Sequence, residues 1–112
     1  MAIDKSLISG SMTMLILKLL SEKDMYGYEM IVELSRRSQN VFEMKEGTLY
    51  PVLHALEKER CVEAYEQTAP TGRVRKYYRL TKKGHGCLAD RRSEWEEYAG
   101  AVNAVLRAEA LT

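Results

Sequence analysis

Polar and cationic side chains share one side of the segment KEGTLYPVLHALEKE, which spans residues 45–59. Four aliphatic residues recur in it at the spacing of an amphipathic helix, so one side of that helix is apolar. They are Leu49, Val52, Leu53 and Leu56. The opposite side offers hydroxyl, imidazole and ammonium groups, which hydrogen-bond to phosphates and other polar partners. Its residues are Thr48, Tyr50, Pro51, His54 and Lys58. The segment therefore predicts a helix that packs on one side and meets a polar partner on the other.

A second group of charged residues lies between Pro70 and Lys83, where the chain has six basic side chains and no acidic one. They are Arg73, Arg75, Lys76, Arg79, Lys82 and Lys83. The whole chain has 17 basic and 16 acidic residues, so the remainder has 11 against 16 and a net charge of −5. Such a run is often only a solvated face. It also fits an arm that contacts phosphates from an otherwise acidic body.

Composition limits the classes of protein. A chain of 112 residues with 46% hydrophobic residues predicts one domain with a modest core. It has no run of 18 apolar residues and no signal-peptide pattern at its N-terminus, so we expect a cytoplasmic protein without a membrane partner. Cys61 and Cys87 form no CxxC pair and fit reduced thiols. Together with His54 and His85 they match no zinc-ligand spacing, so no metal is expected.

The pattern also lacks the groups that catalysis needs. An enzyme requires a nucleophile with a base, paired carboxylates in a cleft, or a glycine loop for phosphates. The glycines are scattered, and Glu94, Glu96 and Glu97 lie on a predicted exposed helix. We therefore expect a protein that is not an enzyme and needs no cofactor.

Three helices are predicted ahead of the basic stretch. Residues 5–21 and 26–38 show helical periodicity and are followed by the helix of residues 45–59. The first has two semi-apolar sides, which indicates two packing partners. One side carries Met12, Leu15, Ile16 and Leu19, and the other carries Leu7, Ser11, Met14 and Lys18.

The C-terminal half predicts a hairpin and a long helix. Residues 61–68 and 73–80 alternate like strands around the turn sequence APTG, which indicates an antiparallel pair. Thr81 suits the N-cap of a helix over residues 82–106. Its apolar seam has a period near 3.5 and consists of Leu88, Trp95, Tyr98, Val102 and Val105. A helix of this length needs a partner, most simply the same helix of a second subunit.

This order of elements predicts a mainly α fold with a small β-hairpin (α+β), a winged helix-turn-helix with a long C-terminal dimerisation helix. Residues 1–80 would form the DNA-binding domain, with the first helix contributing to the dimer, and residues 81–112 the dimerisation helix. The helix of residues 45–59 would enter the major groove of double-stranded DNA. A homodimer would then bind a pseudo-palindromic operator.

The motifs EGTLYPVLHALEKE, GRVRKYYRLTKKG and YGYEM strongly resemble the PadR family of bacterial transcriptional regulators. The resemblance runs from MTMLILKLLSEKDMYGYEM into the C-terminal helix with its AVNAVL sequence. The chain length is similar to the short branch of the family, which includes multidrug-sensing members. The resemblance implies a dimeric repressor that releases DNA when a small aromatic or amphipathic effector binds.

The resemblance, together with the polar face of the third helix and the basic stretch, gives two sets of site residues. One set would bind DNA and the other would bind an effector. The DNA-binding set is Tyr28, Lys45, Thr48, Tyr50, His54, Lys58, Arg73 and Arg75. The effector-binding set is Leu7, Ser11, Met14, Arg92, Trp95, Glu96 and Ala99. Arg92 favours an anionic aromatic compound and Glu96 a cationic one. Because Arg92 would lie closer than Glu96 to the effector cavity at the centre of the dimer, a neutral or anionic compound is favoured.

Some positions leave alternatives open. Trp95 also fits plain seam packing, and Arg92 could fill the cavity, which would leave an effector-independent repressor. A winged helix used only for protein contacts is the alternative for the whole chain. Of the adjacent Tyr77 and Tyr78, one is expected in the core. Arg60 stands where relatives usually have glycine, so the end of the third helix is expected to carry strain of about 1 kcal/mol.

Overall fold

Four α-helices and a three-stranded antiparallel sheet make up residues 3–108, the part of the chain that this computed structural model describes. The helices are α1 (Lys5–Glu22), α2 (Gly27–Arg37), α3 (Glu46–Lys58) and α4 (Lys82–Arg107). The strands are β1 (Met25–Tyr26), β2 (Val62–Thr68) and β3 (Val74–Leu80), in the sheet order β1-β3-β2. The predicted α+β winged-helix arrangement with a long C-terminal helix is confirmed.

The hairpin of β2 and β3 forms as predicted, although each strand begins one residue later than expected. The two strands pair along their full length. At the turn the Gly72 amide donates a hydrogen bond to the Ala69 carbonyl at 2.8 Å, and Gly72 has a φ of +88°. Glycine adopts this φ without a steric penalty, so Gly72 fixes the reversal that precedes Arg73 at the hairpin tip.

Strand β1 was not predicted. The helical pattern placed Tyr26 in α2, whereas Tyr26 pairs with Tyr77 of β3 and Met25 pairs with Tyr78. Two residues are too few to show strand alternation, and the pairing depends on a strand fifty residues away in sequence. As a result α2 begins directly at the sheet edge, at Gly27.

The apolar stripe of α3 is buried as predicted. Leu49, Leu53 and Leu56 are at most 2% exposed, and Val52 is half-buried. They belong to one core cluster with side chains from α1, α2 and the sheet. Its members include Ile16, Leu17, Met30, Leu34 and Tyr78. This packing fixes which side of α3 faces outward.

Only one of the two sides of α1 is covered. Met12 and Ile16 are buried in the core, whereas Leu7 is 66% exposed. Ser11 and Met14 are half-buried on that second side. The predicted second packing surface of α1 is therefore open within a single chain.

The end of α3 adopts a strained but fully bonded geometry. The Cys61 amide donates to the Leu56 carbonyl at 2.9 Å, and the Arg60 amide donates to the Glu57 carbonyl at 3.0 Å. This pair of bonds is the Schellman motif, which requires a left-handed residue and favours glycine there. Arg60 has a φ of +63°, as the departure from glycine predicted.

Helix α4 begins against the body of the protein and then leaves it. The Thr81 hydroxyl accepts a hydrogen bond from the Gly84 amide at 3.0 Å, which confirms the predicted N-cap. Gly84 is the buried residue of α4, and most side chains after Leu88 are exposed. The described chain is 69 Å long in its longest dimension, since α4 projects from the body.

Candidate nucleic-acid interface

A close contact between Gly27 and Tyr50 joins the first turn of α2 to the beginning of α3. The Tyr50 ring lies over Gly27, where an added Cβ would be 2.5 Å from the Tyr50 Oη and 3.0 Å from its Cζ. The absence of a side chain at residue 27 thus makes room for the ring. Tyr50 was predicted to point outward with the polar face, but it is half-buried because its ring turns toward α2.

A concavity of about 520 Å³ opens between the start of α2, the start of α3 and the hairpin. Four residues of the predicted DNA-binding set line it, namely Tyr28, Tyr50, Arg73 and Arg75. Elements distant in sequence thus bring these side chains together. Lys76 and Glu46 line the same concavity and were not in the predicted set.

The other four predicted DNA-binding residues lie along α3 and its N-cap. They are Lys45, Thr48, His54 and Lys58, and all are exposed. The His54 ring lies 6.3 Å from the Tyr50 ring, between centroids, so Tyr50 connects this exposed row to the concavity. The resulting surface is a polar helix face flanked by the basic hairpin.

The basic stretch divides into cations that contact the chain itself and cations that face outward. Arg79 pairs with Glu63 at 2.9 Å, and Lys83 donates to the Glu59 carbonyl at 2.8 Å. Within residues 3–108, no salt bridge engages Arg73. Two of the six basic side chains of the stretch are therefore engaged within the chain itself.

Arg75 has a defined position on the outer face of the sheet. Its guanidinium lies 4.5 Å from the centroid of the Tyr26 ring, within cation–π range. Tyr26 in turn packs edge-on against Tyr77 at 5.5 Å, and Tyr77 stacks on Tyr65 at 5.7 Å. Tyr78 points the other way and is fully buried, as expected for one of the adjacent pair.

The match with the PadR-like family of transcriptional regulators covers residues 16–90, which include all of α2, α3 and the sheet. The chain belongs to this family. PadR-like proteins are transcriptional regulators rather than enzymes, in agreement with the sequence-based expectation.

Individual relatives and solved structures are similar to most of the chain. A protein of Lysinibacillus sphaericus is 45% identical over 91 residues, which are 81% of this chain and 84% of that protein. The transcriptional regulator Rv3488 of Mycobacterium tuberculosis is 37% identical over 82 residues, 73% of each chain. The crystal structure of a PadR-like transcriptional regulator from Bacillus cereus is 30% identical, with a TM-score of 0.81. That match covers 93% of this chain and 99% of the Bacillus cereus chain.

The residues that the PadR resemblance assigned to an effector lie on α1 and α4. Leu7 belongs to the uncovered side of α1, and Trp95, whose side chain is 47% exposed, belongs to the uncovered side of α4. Arg92 pairs with Glu96 across one helical turn at 3.4 Å, and Ala99 is half-buried. None of the seven residues lines either the concavity described above or a second one of about 860 Å³.

That second concavity was not predicted. It lies between the start of α1 and the segment that joins α2 to α3, and its apolar lining reaches Val52 of α3. The signal for it was weak, because the segment of residues 39–44 has no regular periodicity. Its apolar residues include Ile8, Met12, Val41, Phe42 and Met44.

Two further properties concern the described residues alone. Among residues 3–108, no group of three or more His, Cys, Asp or Glu side chains is arranged to hold a metal ion. None of the helices described is both long and apolar enough to cross a membrane.

Proposed function

We propose that this PadR-like regulator is a homodimeric repressor that binds double-stranded DNA with α3 in the major groove. The observation that carries the proposal is the concavity shared by Tyr28, Tyr50, Arg73 and Arg75, next to the exposed polar face of α3. A helix face bare of large apolar groups can approach base edges, and flanking cations can neutralise phosphates. The hairpin would then lie along the backbone or in the neighbouring minor groove.

Contacts to bases and to phosphates would come from different elements. His54 and Lys58 are exposed on the outer side of α3, and Thr48 is exposed at the edge of that side, where it also lines the second concavity. These three are the candidates for base contacts. Arg73 at the hairpin tip is the candidate for a phosphate contact. Glu46 also lines the concavity, and its carboxylate repels phosphate, so we expect the backbone to follow the basic side of the concavity rather than its centre.

Dimerisation is supported by the uncovered apolar side of α4. Five apolar side chains stand exposed along its outer half, which is an unusual surface for a helix that remains alone in water. They are Trp95, Tyr98, Val102, Val105 and Leu106. In the dimer, the dimerisation helices of two copies (residues 81–112) would pair about a two-fold axis. This pairing would hold the two DNA-binding domains (residues 1–80) together. The operator would then be pseudo-palindromic.

The dimer is tested by comparing Val105→Glu with Ala104→Glu in sedimentation equilibrium. Both substitutions add one carboxylate to an exposed residue of α4, but only Val105 lies on the apolar seam. We expect the wild type and Ala104→Glu to sediment as dimers and Val105→Glu as a monomer. A wild type that stays monomeric at micromolar concentration while binding DNA tightly contradicts the dimer.

DNA binding is tested by fluorescence anisotropy with the DNA upstream of the protein's own gene. The expected result is tight binding that a shuffled sequence of equal length does not compete away and that weakens with salt. A winged helix used only for protein contacts would bind neither DNA, so the absence of binding at low salt favours that alternative. Repression itself is tested by a reporter gene placed behind the same upstream DNA, whose expression should rise when the regulator is deleted.

An effector would bind between the two subunits, where Trp95 of each copy would face Leu7, Ser11 and Met14 near the dimer axis. An apolar slot with an aromatic wall suits a flat ring. The Arg92–Glu96 pair offsets its own charges at 3.4 Å, which favours a neutral aromatic compound over a strongly charged one. The chain carries one tryptophan, so its emission reports on this slot alone.

The effector is tested by titrating phenolic acids, neutral flavonoids and cationic dyes while following Trp95 emission and DNA release. We expect a neutral or anionic aromatic compound to quench the emission and to release DNA. If no compound does either, the protein is a repressor without a small-molecule effector, and the DNA-binding proposal is unaffected. In either case we propose that the protein acts in the cytoplasm, where the DNA is.

A further inference from the structure

Two cysteines that are far apart in sequence meet where α4 begins. Cys61 precedes β2, directly after the strained Arg60, and is 1% exposed. Cys87 lies in the second turn of α4, is half-buried, and packs against the core cluster that contains Cys61. Both are free thiols, and neither belongs to the candidate DNA or effector surfaces.

The backbone brings these two residues together. The Thr81 amide donates a hydrogen bond to the Cys61 carbonyl at 3.0 Å, and a Cβ added at Gly84 would overlap that same carbonyl oxygen. The first turn of α4 therefore rests directly on residue 61. Cys87 follows Gly84 by three residues, so it lies on the same side of the helix. Burial raises the pKa of the Cys61 thiol, and the neighbouring Cys87 thiol raises it further, in keeping with this placement of the two residues.

We propose that Cys61 and Cys87 are a thiol-oxidation site that forms a reversible intramolecular disulfide. The co-substrate would be a low-molecular-weight disulfide of the glutathione type. In proteins of reducing compartments, disulfides are usually transient and redox-sensing, which fits a pair placed at a structural joint. No separate oxidant is needed, because the small disulfide accepts the two electrons.

The reaction has two exchange steps. Cys87 is the more accessible thiol, so its thiolate attacks one sulfur of the small disulfide. This forms a mixed disulfide on Cys87 and releases one small thiolate, which takes up a proton. The Cys61 thiol then loses its proton to solvent and attacks the Cys87 Sγ, which releases the second small thiol. Two protein thiols are oxidised, and one small disulfide is reduced to two thiols.

Closing this bond would move α4, a consequence that rests on the proposed function of α4 as the dimer joint. A disulfide S–S bond of about 2 Å is shorter than any non-bonded contact, so Cys87 must move toward Cys61. Gly84 already touches the Cys61 carbonyl and becomes the pivot. At 1.5 Å per residue, Arg107 is roughly eight times farther from Gly84 along the helix axis than Cys87 is, so a small shift is amplified. The two recognition helices would change their spacing, and operator affinity would fall.

The experiment treats the full-length wild type, Cys61→Ala and Cys87→Ala with oxidised glutathione, followed by alkylation and intact-mass analysis. For the wild type we expect loss of both free thiols, a mass lower by two hydrogens and no attached glutathione. Cys61→Ala should retain one glutathione on Cys87, and Cys87→Ala should stay reduced because Cys61 is buried. Operator affinity of the wild type should fall by about tenfold, a usual size for coupling between sites, and recover with dithiothreitol. Reduced Cys87→Ala should bind like the reduced wild type.

Other outcomes overturn the proposal. Glutathione that stays on wild-type Cys87, or a disulfide that joins two chains on a non-reducing gel, means that the pair does not close within one chain. If the disulfide closes and operator affinity is unchanged, the proposed coupling between disulfide formation and the movement of α4 is wrong. If the reduced wild type fails to bind DNA, the proposed function fails, whereas the thiol counts still decide whether the disulfide forms.

Discussion

The phenol of Tyr50 occupies the space that a side chain at Gly27 would fill, with 2.5 Å between its Oη and the position of the missing Cβ. This contact joins the start of α2 to α3 and holds a ring beside His54. Glycine is thus needed at residue 27 because the Tyr50 ring leaves no room for a side chain, and not because of the backbone conformation, since the φ of Gly27 lies in the ordinary range.

We therefore expect Gly27→Ala to lower the free energy of unfolding by about 1 kcal/mol, although alanine is the better helix former. Operator binding should weaken because Tyr50 is displaced. Combining Gly27→Ala with Tyr50→Phe removes the nearest clashing atom, so urea denaturation should show the double variant losing less stability than the sum of the singles. Gly86→Ala, where the space is open, is the control and should be neutral or stabilising. Additive losses would show that the contact is unimportant.

Arg60→Gly is expected to stabilise the protein by about 1 kcal/mol, since glycine adopts the φ of +63° without a Cβ penalty. Chemical denaturation would measure the change. Glu59→Gly is the matched control, one residue earlier with a φ of −79°, and should destabilise. A loss of stability in Arg60→Gly would mean that the arginine side chain compensates for its backbone.

Arg73→Ala should weaken binding to operator and shuffled DNA alike and reduce the salt slope of binding by about one unit. The reason is its exposed place at the hairpin tip, without a salt bridge among the described residues. Arg91→Ala removes an equally exposed charge from α4 and serves as the control. His54→Ala should instead cost roughly 1–3 kcal/mol on the operator and little on shuffled DNA. An unchanged slope in Arg73→Ala would place the hairpin tip away from the phosphates.

Arg37 pairs with Glu22 of α1 and Glu33 of α2. Arg37, with a smaller contribution from Lys18, lowers the pKa of the Glu22 carboxyl from 4.5 to about 2. Arg36, followed by Arg37, lowers the pKa of the Glu33 carboxyl from 4.5 to about 2. A carboxyl whose pKa is lower in the folded state contributes stability above its unfolded pKa and loses it as the pH falls. Stability should therefore decline between about pH 4.5 and pH 2 through these groups.

In Arg37→Gln we expect a shallower decline of stability over that pH range, with Arg91→Gln as the control for a lost charge. Thermal unfolding at a series of pH values would measure it. Both pairs are exposed, so high salt should reduce the difference between the two variants. Identical pH profiles at low salt would show that the network contributes nothing.

Local patterns were sufficient for the four helices and the hairpin, whose ends lie within one residue of the predicted bounds. The spacing of Leu49, Leu53 and Leu56 predicts the buried side of α3, and the hydroxyl of Thr81 predicts the start of α4, because both effects act within two turns. Each depends on neighbours that the sequence itself displays. The strain at Arg60, by contrast, was expected from the family resemblance, because relatives usually have glycine there.

Contacts between distant segments could not be predicted in this way. The two-residue β1 exists only because β3 pairs with it, and the half-burial of Tyr50 depends on Gly27 from another helix. The meeting of Cys61 with Cys87 depends on how α4 packs at its first turn. The division of the basic stretch arises from Glu63 and the Glu59 carbonyl, which charge counting does not reveal.

If two copies of α4 pair as proposed, folding of its exposed outer half would depend on protein concentration. A helical segment without tertiary contacts is held only by its own backbone bonds, and such segments are marginally stable in water. In the proposed dimer, association would supply the missing contacts, so ordering of this half and pairing of subunits would become a single event. On dilution its amide hydrogens should begin to exchange rapidly while those of the core remain protected. The concentration of the regulator in the cell would then determine the fraction of molecules that are dimeric and able to bind both operator half-sites.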